Sequence, residues 1–326
     1  MKARDFAIVA AVLLLGGFAL ADSLRSRAPE ETATTREEST GPEPQPDAPA
    51  DWPAGRLRGT LVFTSAENCS VRVIGLGGGR ERPTGALFGF CDLWAAPIGQ
   101  RIAYGTGGVR GTTGQSFAVV DLRRSGVELE RFLNLAGGVL WSPDAQRLAW
   151  CTENGVGREY EIGAERPRSF PNCPIAYTPQ GRLAFAVGRR LVVDGRTVLT
   201  APGPIVEAYW GQDGSLLILQ EGGRLRRYDA SGETDSTVLL VARNLVPSPD
   251  NCAVLYSESG RIQLADVGCF RAPQRAFIGF DGAWSPDGVW VAVAAPDQIE
   301  FHRVLGGQEA YVWPARAREL SWRGDD

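Results

Sequence analysis

The sequence predicts an all-β fold, a seven-bladed β-propeller of four-stranded antiparallel blades, set behind an N-terminal membrane helix and a disordered linker. Three observations predict the ring. A strand–turn–strand phrase recurs along the chain, its copies stand one blade apart, and the two ends of the folded region each supply half of one further unit.

The phrase is clearest as LWSPDAQRLAW from Leu140 and AWSPDGVWVAV from Ala283, with weaker copies starting at Leu93, Ala176, Tyr209 and Val246. Aligned, the anchor residues are Trp94, Trp141, Tyr177, Trp210, Pro247, Trp284 and Trp322, at spacings of 47, 36, 33, 37, 37 and 38 residues. An apolar pair ends in an aromatic, Ser-Pro-Asp-Gly reverses the chain, and a second apolar run leaves. Proline presets φ for an early turn position, while Asp and Gly tolerate the turn that follows. Asp144, Asp250 and Asp287 are therefore expected as structural turn residues, and the aromatic as a wedge between neighbouring sheets.

Two further short apolar segments follow each copy, for example 298–304 and 310–313, which brings the unit to four strands. Closure supports the count. Residues 58–64 look like a second strand with no first before it, and the C-terminal LSWRG like a first strand with no second after it. Joined, they complete one blade from both ends. Seven anchors give seven blades; six is the alternative, because the second unit is long and the fourth lean.

Ahead of the ring, Lys2 and Arg4 precede an uninterrupted apolar run from Phe6 to Ala21, the form of an export signal. Residues 1–5 are expected as a cytoplasmic end and 6–24 as a signal anchor or signal peptide. Ala19-Leu20-Ala21 has the small-x-small form of a cleavage site, whereas retention would keep Lys2 and Arg4 cytoplasmic. Either way the remainder is expected outside the cytoplasm, tethered to the cell membrane by one pass or secreted. Residues 25–55 are rich in Glu, Thr, Pro and Ala, with almost no large apolar residue before Trp52. Such a segment cannot offset its ordering entropy by burial and reads as a spacer. Residues 56–326 are assigned to the propeller.

The repeat residues resemble the TolB-like or WD40-like propeller repeat family, whose hallmark is the same aromatic-Ser-Pro-Asp-Gly turn. The resemblance covers about residues 57–326 and implies the fold; the motif is structural in that family and implies no activity. The additional N-terminal domain of TolB has no room here, so a Tol-system role is not implied.

Six cysteines, at positions 69, 91, 151, 173, 252 and 269, form an even set in an exported chain. In a four-stranded blade the loops after strands two and four share one face, and those after strands one and three share the other. Cys69 and Cys91 fall in the first kind of pair, as do Cys151 and Cys173; Cys252 and Cys269 fall in the second. The expected bridges are Cys69–Cys91, Cys151–Cys173 and Cys252–Cys269. No C-x-x-C spacing favours a metal instead.

The inventory for catalysis is thin. His302 is the only histidine and falls in an expected third strand, so no histidine-based triad or metal centre can be assembled. The glycine run from Gly75 lacks the Lys-Ser/Thr ending and helical context of a phosphate loop. The C-terminal Arg-Gly-Asp falls in or just past the closing strand and is discounted. A net charge of −4 excludes a general nucleic-acid binder. No catalytic, cofactor or metal residue is nominated. The expected function is a monomeric, membrane-tethered binding or scaffold propeller for a protein, peptide or envelope glycan. The alternative is an enzyme of lyase or glycosidase type working with carboxylates in the central channel.

Overall fold

The computed structural model describes residues 48–53, 55–84, 91–107, 115–124, 127–238, 243–269 and 274–324. The segments read as the cytoplasmic end, the signal anchor and most of the spacer lie outside them. Within the described residues the chain forms seven four-stranded antiparallel blades. The innermost strands of blades 1 to 6 are Leu93–Ala95, the C-terminal part of Val127–Trp141, Pro174–Tyr177, Ile205–Trp210, Arg243–Pro247 and Gly282–Trp284. Each blade then builds outward in chain order, as in Ile205–Trp210, Leu216–Gln220, Arg224–Asp229 and Gly232–Val238. Blades 1 and 2 share one continuous strand, Val127–Trp141, the outer strand of one becoming the inner strand of the next. A register shift between Ala136 and Val139 accommodates that change, with Gly137 at φ +88°.

Blade 7 is the seam. Its order is Ala317–Arg323, Thr60–Ser65, Val71–Gly75, Arg80–Pro83, so the C-terminal strand pairs with the first strand of the folded region. Leu61 stands opposite Trp322 and Phe63 opposite Leu320. At the start of this pairing Gly59 has φ +91°, and a Cβ there would lie 2.0 Å from the Arg323 carbonyl oxygen. Only glycine allows so close an approach. The Trp322 indole closes the corner by donating to the Arg58 carbonyl.

The turn phrase is held by its own side chains. Ser285 Oγ donates to Asp287 Oδ1 and accepts from the Trp290 amide, while Asp287 also accepts from the Val289 amide. Ser142 with Asp144, and Ser248 with Asp250, repeat the arrangement. The lean fourth unit keeps part of it through Asp213, which accepts from the Ser215 hydroxyl and amide.

Antiparallel alternation gives the ring two unlike faces. The starts of the inner strands and the loops joining second to third strands lie on one, here the mouth face. The Ser-Pro-Asp turns and the loops joining third to fourth strands lie on the other, the turn face. Packing between blades is apolar; the seam side alone buries Phe63, Ile74, Phe301 and Trp313 completely.

The fold begins before the first strand. Ala48 and Trp52 pack against the cluster between blades 6 and 7. The Trp52 ring stands edge-on to Phe301 at 5.4 Å and to Trp313 at 5.0 Å, and its indole donates to the Leu76 carbonyl. Gly79, in the loop between third and fourth strands of blade 7, lies so close that a Cβ would meet Ala48 Cβ at 2.5 Å. Arg56 then bonds Glu309 and Tyr311 of blade 6. Both Gly79 and Glu309 lie on turn-face loops, so the chain enters the ring from that side.

Candidate functional site

The inner strands of all seven blades enclose a channel of about 1630 Å³. All seven repeat anchors line it, Pro247 and the six aromatics Trp94, Trp141, Tyr177, Trp210, Trp284 and Trp322. They end the inner strands and lie toward the turn face. Several also tie blades together: the Trp141 indole donates to the Trp94 carbonyl of the preceding blade, and Trp284 donates to the Val246 carbonyl of the preceding blade. Tyr177 donates to the buried Glu159 of blade 2, and burial followed by that carboxylate raises its phenol above the ordinary value. Asp144, Asp250 and Asp287 stay in their turns; the Ser142 hydroxyl, foremost, holds the Asp144 carboxyl below its usual value.

Nearer the mouth the wall is acidic. Glu207, Asn244, Asp281 and Glu319 each stand three residues before the anchor of blades 4 to 7, and Asp92 stands two before Trp94 of blade 1. All five line the channel, as does Glu153 from the loop after the second strand of blade 2. No arginine, lysine or histidine lines it among the described residues. Two arginines of the same face are directed elsewhere: Arg316 bonds the Pro296 carbonyl beside Asp297, and Arg318 lies over Cys91.

These carboxylates also bear on the fold. Asp281 of blade 6 accepts the Leu320 amide of blade 7 at 2.8 Å, and Glu319 of blade 7 accepts the Leu93 amide of blade 1 at 2.6 Å. Glu207 accepts from the Tyr209 hydroxyl; burial of that phenol, and then the adjoining carboxylate, raises its pKa well above the ordinary value. No group of three or more His, Cys, Asp or Glu gathers in metal-binding geometry among the described residues. The acids are spread around the wall rather than focused on a point.

One further group borders the channel. Trp150, 3 % exposed, packs against Phe117 and Phe132, and its buried indole N–H meets no acceptor among the described residues. Nothing in the sequence marked it, because it reads as an ordinary apolar residue of a second strand.

The cysteines form three bridges, Cys69–Cys91, Cys151–Cys173 and Cys252–Cys269, with Cα separations of 4.7, 5.0 and 5.2 Å, and none is free. The first two lie on the mouth face and the third on the turn face. His302 stacks on Phe277 at 4.6 Å and pairs with Glu300, in the third strand of blade 6 and outside the channel. Arg323 of the Arg-Gly-Asp run is 2 % exposed and donates to the Gly99 carbonyl, so it is part of the seam.

No family model matches the sequence, and no curated protein does. Among solved structures, a chain of the mitotic checkpoint complex superposes with a TM-score of 0.54 at 14% identity, covering 89% of this chain and 100% of that one. The β-propeller domain of Cps50 (Swd1) from Myceliophteria thermophila gives 0.48 at 15% identity, over 71% of this chain and 88% of that one. TolB from Acinetobacter baumannii gives 0.49 at 15%, over 82% and 67%. The likeness is one of fold.

Proposed function

We propose that this chain is a membrane-tethered, extracytoplasmic binding propeller that receives a partner protein at the mouth of its channel. The observation that carries this reading is the channel itself. It is open and wide, walled by aromatic and acidic side chains, and its mouth is on the face opposite the Ala48–Arg56 lead-in. The N-terminal apolar run supports the tether.

A carboxylate enzyme is less well supported. The mouth acids sit on different blades, and Asp281 and Glu319 are engaged by backbone amides of the next blade. The test is photo-crosslinking of the full chain in its native envelope from two sites, Glu67 on the mouth face and Ala230 on the turn face. Partner adducts from the first and not the second are expected. Equal adducts from both, or turnover of polysaccharide substrates without adducts, would overturn the reading.

A further inference from the structure

We infer that the mouth of the channel selects a cationic peptide segment of its partner, one that presents lysine or arginine side chains on an extended backbone. This rests on the binding reading above and names the chemistry of what is bound.

Three independent features of one cavity converge on that chemistry. The first is charge. Asp92, Glu153, Glu207, Asp281 and Glu319 line a concave wall that carries no basic residue among the described ones. A low-dielectric cleft of one sign focuses its field outward and draws in the opposite charge. The surrounding edge is mixed, with Glu221 and Asp297 in the second-to-third-strand loops of blades 4 and 6 and Arg190, Arg224 and Arg261 opening the third strands of blades 3, 4 and 5, so the acidic field is that of the channel wall itself.

The second is the aromatic belt below the acids. Trp94, Trp141, Tyr177, Trp210, Trp284 and Trp322 give the channel π surface within the reach of a long side chain entering past the carboxylates. Lys and Arg have an apolar stem and a cationic head, which suits a carboxylate rim above an aromatic wall. The third is the Trp150 indole N–H, buried at the edge of the same cavity and without an acceptor among the described residues. A buried donor is ordinarily matched, and a peptide carbonyl is the acceptor an extended segment supplies at every residue. A bare metal ion fits poorly, because the acids do not gather around a point. Anionic glycans and nucleic acids meet a wall of their own sign.

The experiment uses the full chain in a neutral detergent and fluorescence anisotropy with a labelled, partly degenerate peptide library carrying fixed Lys and Arg. Matched libraries carry acetyl-lysine and citrulline, or Glu, at the fixed positions. The cationic library is expected to bind at least about tenfold tighter than the neutralised one. The double variant Glu153→Gln, Glu207→Gln weakens that binding about tenfold, because two of the channel carboxylates lose their charge and keep their shape. Glu165→Gln, exposed in the third-to-fourth-strand loop of blade 2 on the turn face, leaves it within about twofold. Trp150→Phe keeps the ring, removes the N–H and weakens binding several-fold.

Failure of the cationic library to bind, or undiminished binding by the Glu153, Glu207 variant, overturns the inference. Equal binding of the neutral library, still displaced from the mouth-face crosslink, overturns the charge preference and leaves the binding reading standing. Loss of both binding and crosslink removes both.

Discussion

Replacing Trp52 by alanine tests whether the lead-in segment is part of the folded ring. Trp52 stands edge-on to Phe301 and Trp313, and its indole donates to the Leu76 carbonyl at 2.9 Å. Truncating a fully buried tryptophan costs about 3–5 kcal/mol. Trp52 is half-buried, so about 2 kcal/mol of packing is at stake, and the lost hydrogen bond adds about 1 kcal/mol. A total near 3 kcal/mol in a domain of this size lowers Tm by about 5 °C. Trp52→Phe keeps the ring contacts and loses only the hydrogen bond, for about 1 kcal/mol and about 2 °C. The assay is thermal unfolding of the full chain by circular dichroism, with Val198→Ala on the exposed edge of blade 3 as the neutral control. A Trp52→Ala protein that melts within 1 °C of the parent would refute the packing of this segment. A phenylalanine variant as unstable as the alanine one would refute the division between ring contact and hydrogen bond.

Gly59→Ala should open the seam, since its Cβ would stand 2.0 Å from the Arg323 carbonyl oxygen at a φ of +91°; limited proteolysis should then release the C-terminal strand, and a variant as resistant as the parent would count against the clasp. Cys151→Ser with Cys173→Ser removes a bridge with a sequence separation of 22 residues, worth on the order of 3 kcal/mol, visible as a lower urea midpoint in the oxidised protein and absent under reductant. Asp144 is held below its ordinary pKa, so its folded state binds its proton less readily than its unfolded state. Its contribution is present above the ordinary carboxyl value of about 4 and is lost as pH falls through the depressed one. Asp144→Asn should therefore narrow the stability gap to the parent as acid is added below about pH 4, which urea titrations at stepped pH would read.

What was legible in the sequence was whatever a local rule enforces. Ser-Pro-Asp followed by Ala or Gly forms the turn after both Trp141 and Trp284, so these anchors and their spacing carried the blades. The half-units at residues 58–64 and 317–323 carried the seam. Trp52 was harder. It sits among proline, aspartate and alanine with no period, and its partners Phe301 and Trp313 lie about 250 residues away in sequence. The acidic arc was harder still. A single Glu near the start of a strand reads as a solvated edge, and its meaning comes from closure, which sets blades 4 to 7 beside blade 1. One signal was available: the column three residues before the anchors reads Glu207, Asn244, Asp281 and Glu319 in four consecutive units.

The same column explains why the charge is lopsided. Neighbouring blades must be tied at the mouth, and the chain uses two kinds of tie. Between blades 6 and 7 the Asp281 carboxylate holds the Leu320 amide, and between 7 and 1 Glu319 holds the Leu93 amide beside the Cys69–Cys91 bridge. Blades 2 and 3 lack an acid there, with Gly138 and Pro174 in the equivalent places, and the Cys151–Cys173 bridge joins them. Gly138 is further constrained, because a Cβ would crowd the Trp94 indole at 3.2 Å. A carboxylate tie leaves negative charge on the wall, whereas a disulfide leaves none. The field therefore concentrates on the arc from blade 4 through blade 1, relieved on the other side only by Glu153. A cationic segment should sit off-centre, toward that arc. Substituting Asp281 or Glu319 would disturb fold and field together, and Glu207 accepts the buried Tyr209 hydroxyl, so amide replacements that keep an accepting oxygen are the ones that separate recognition from stability.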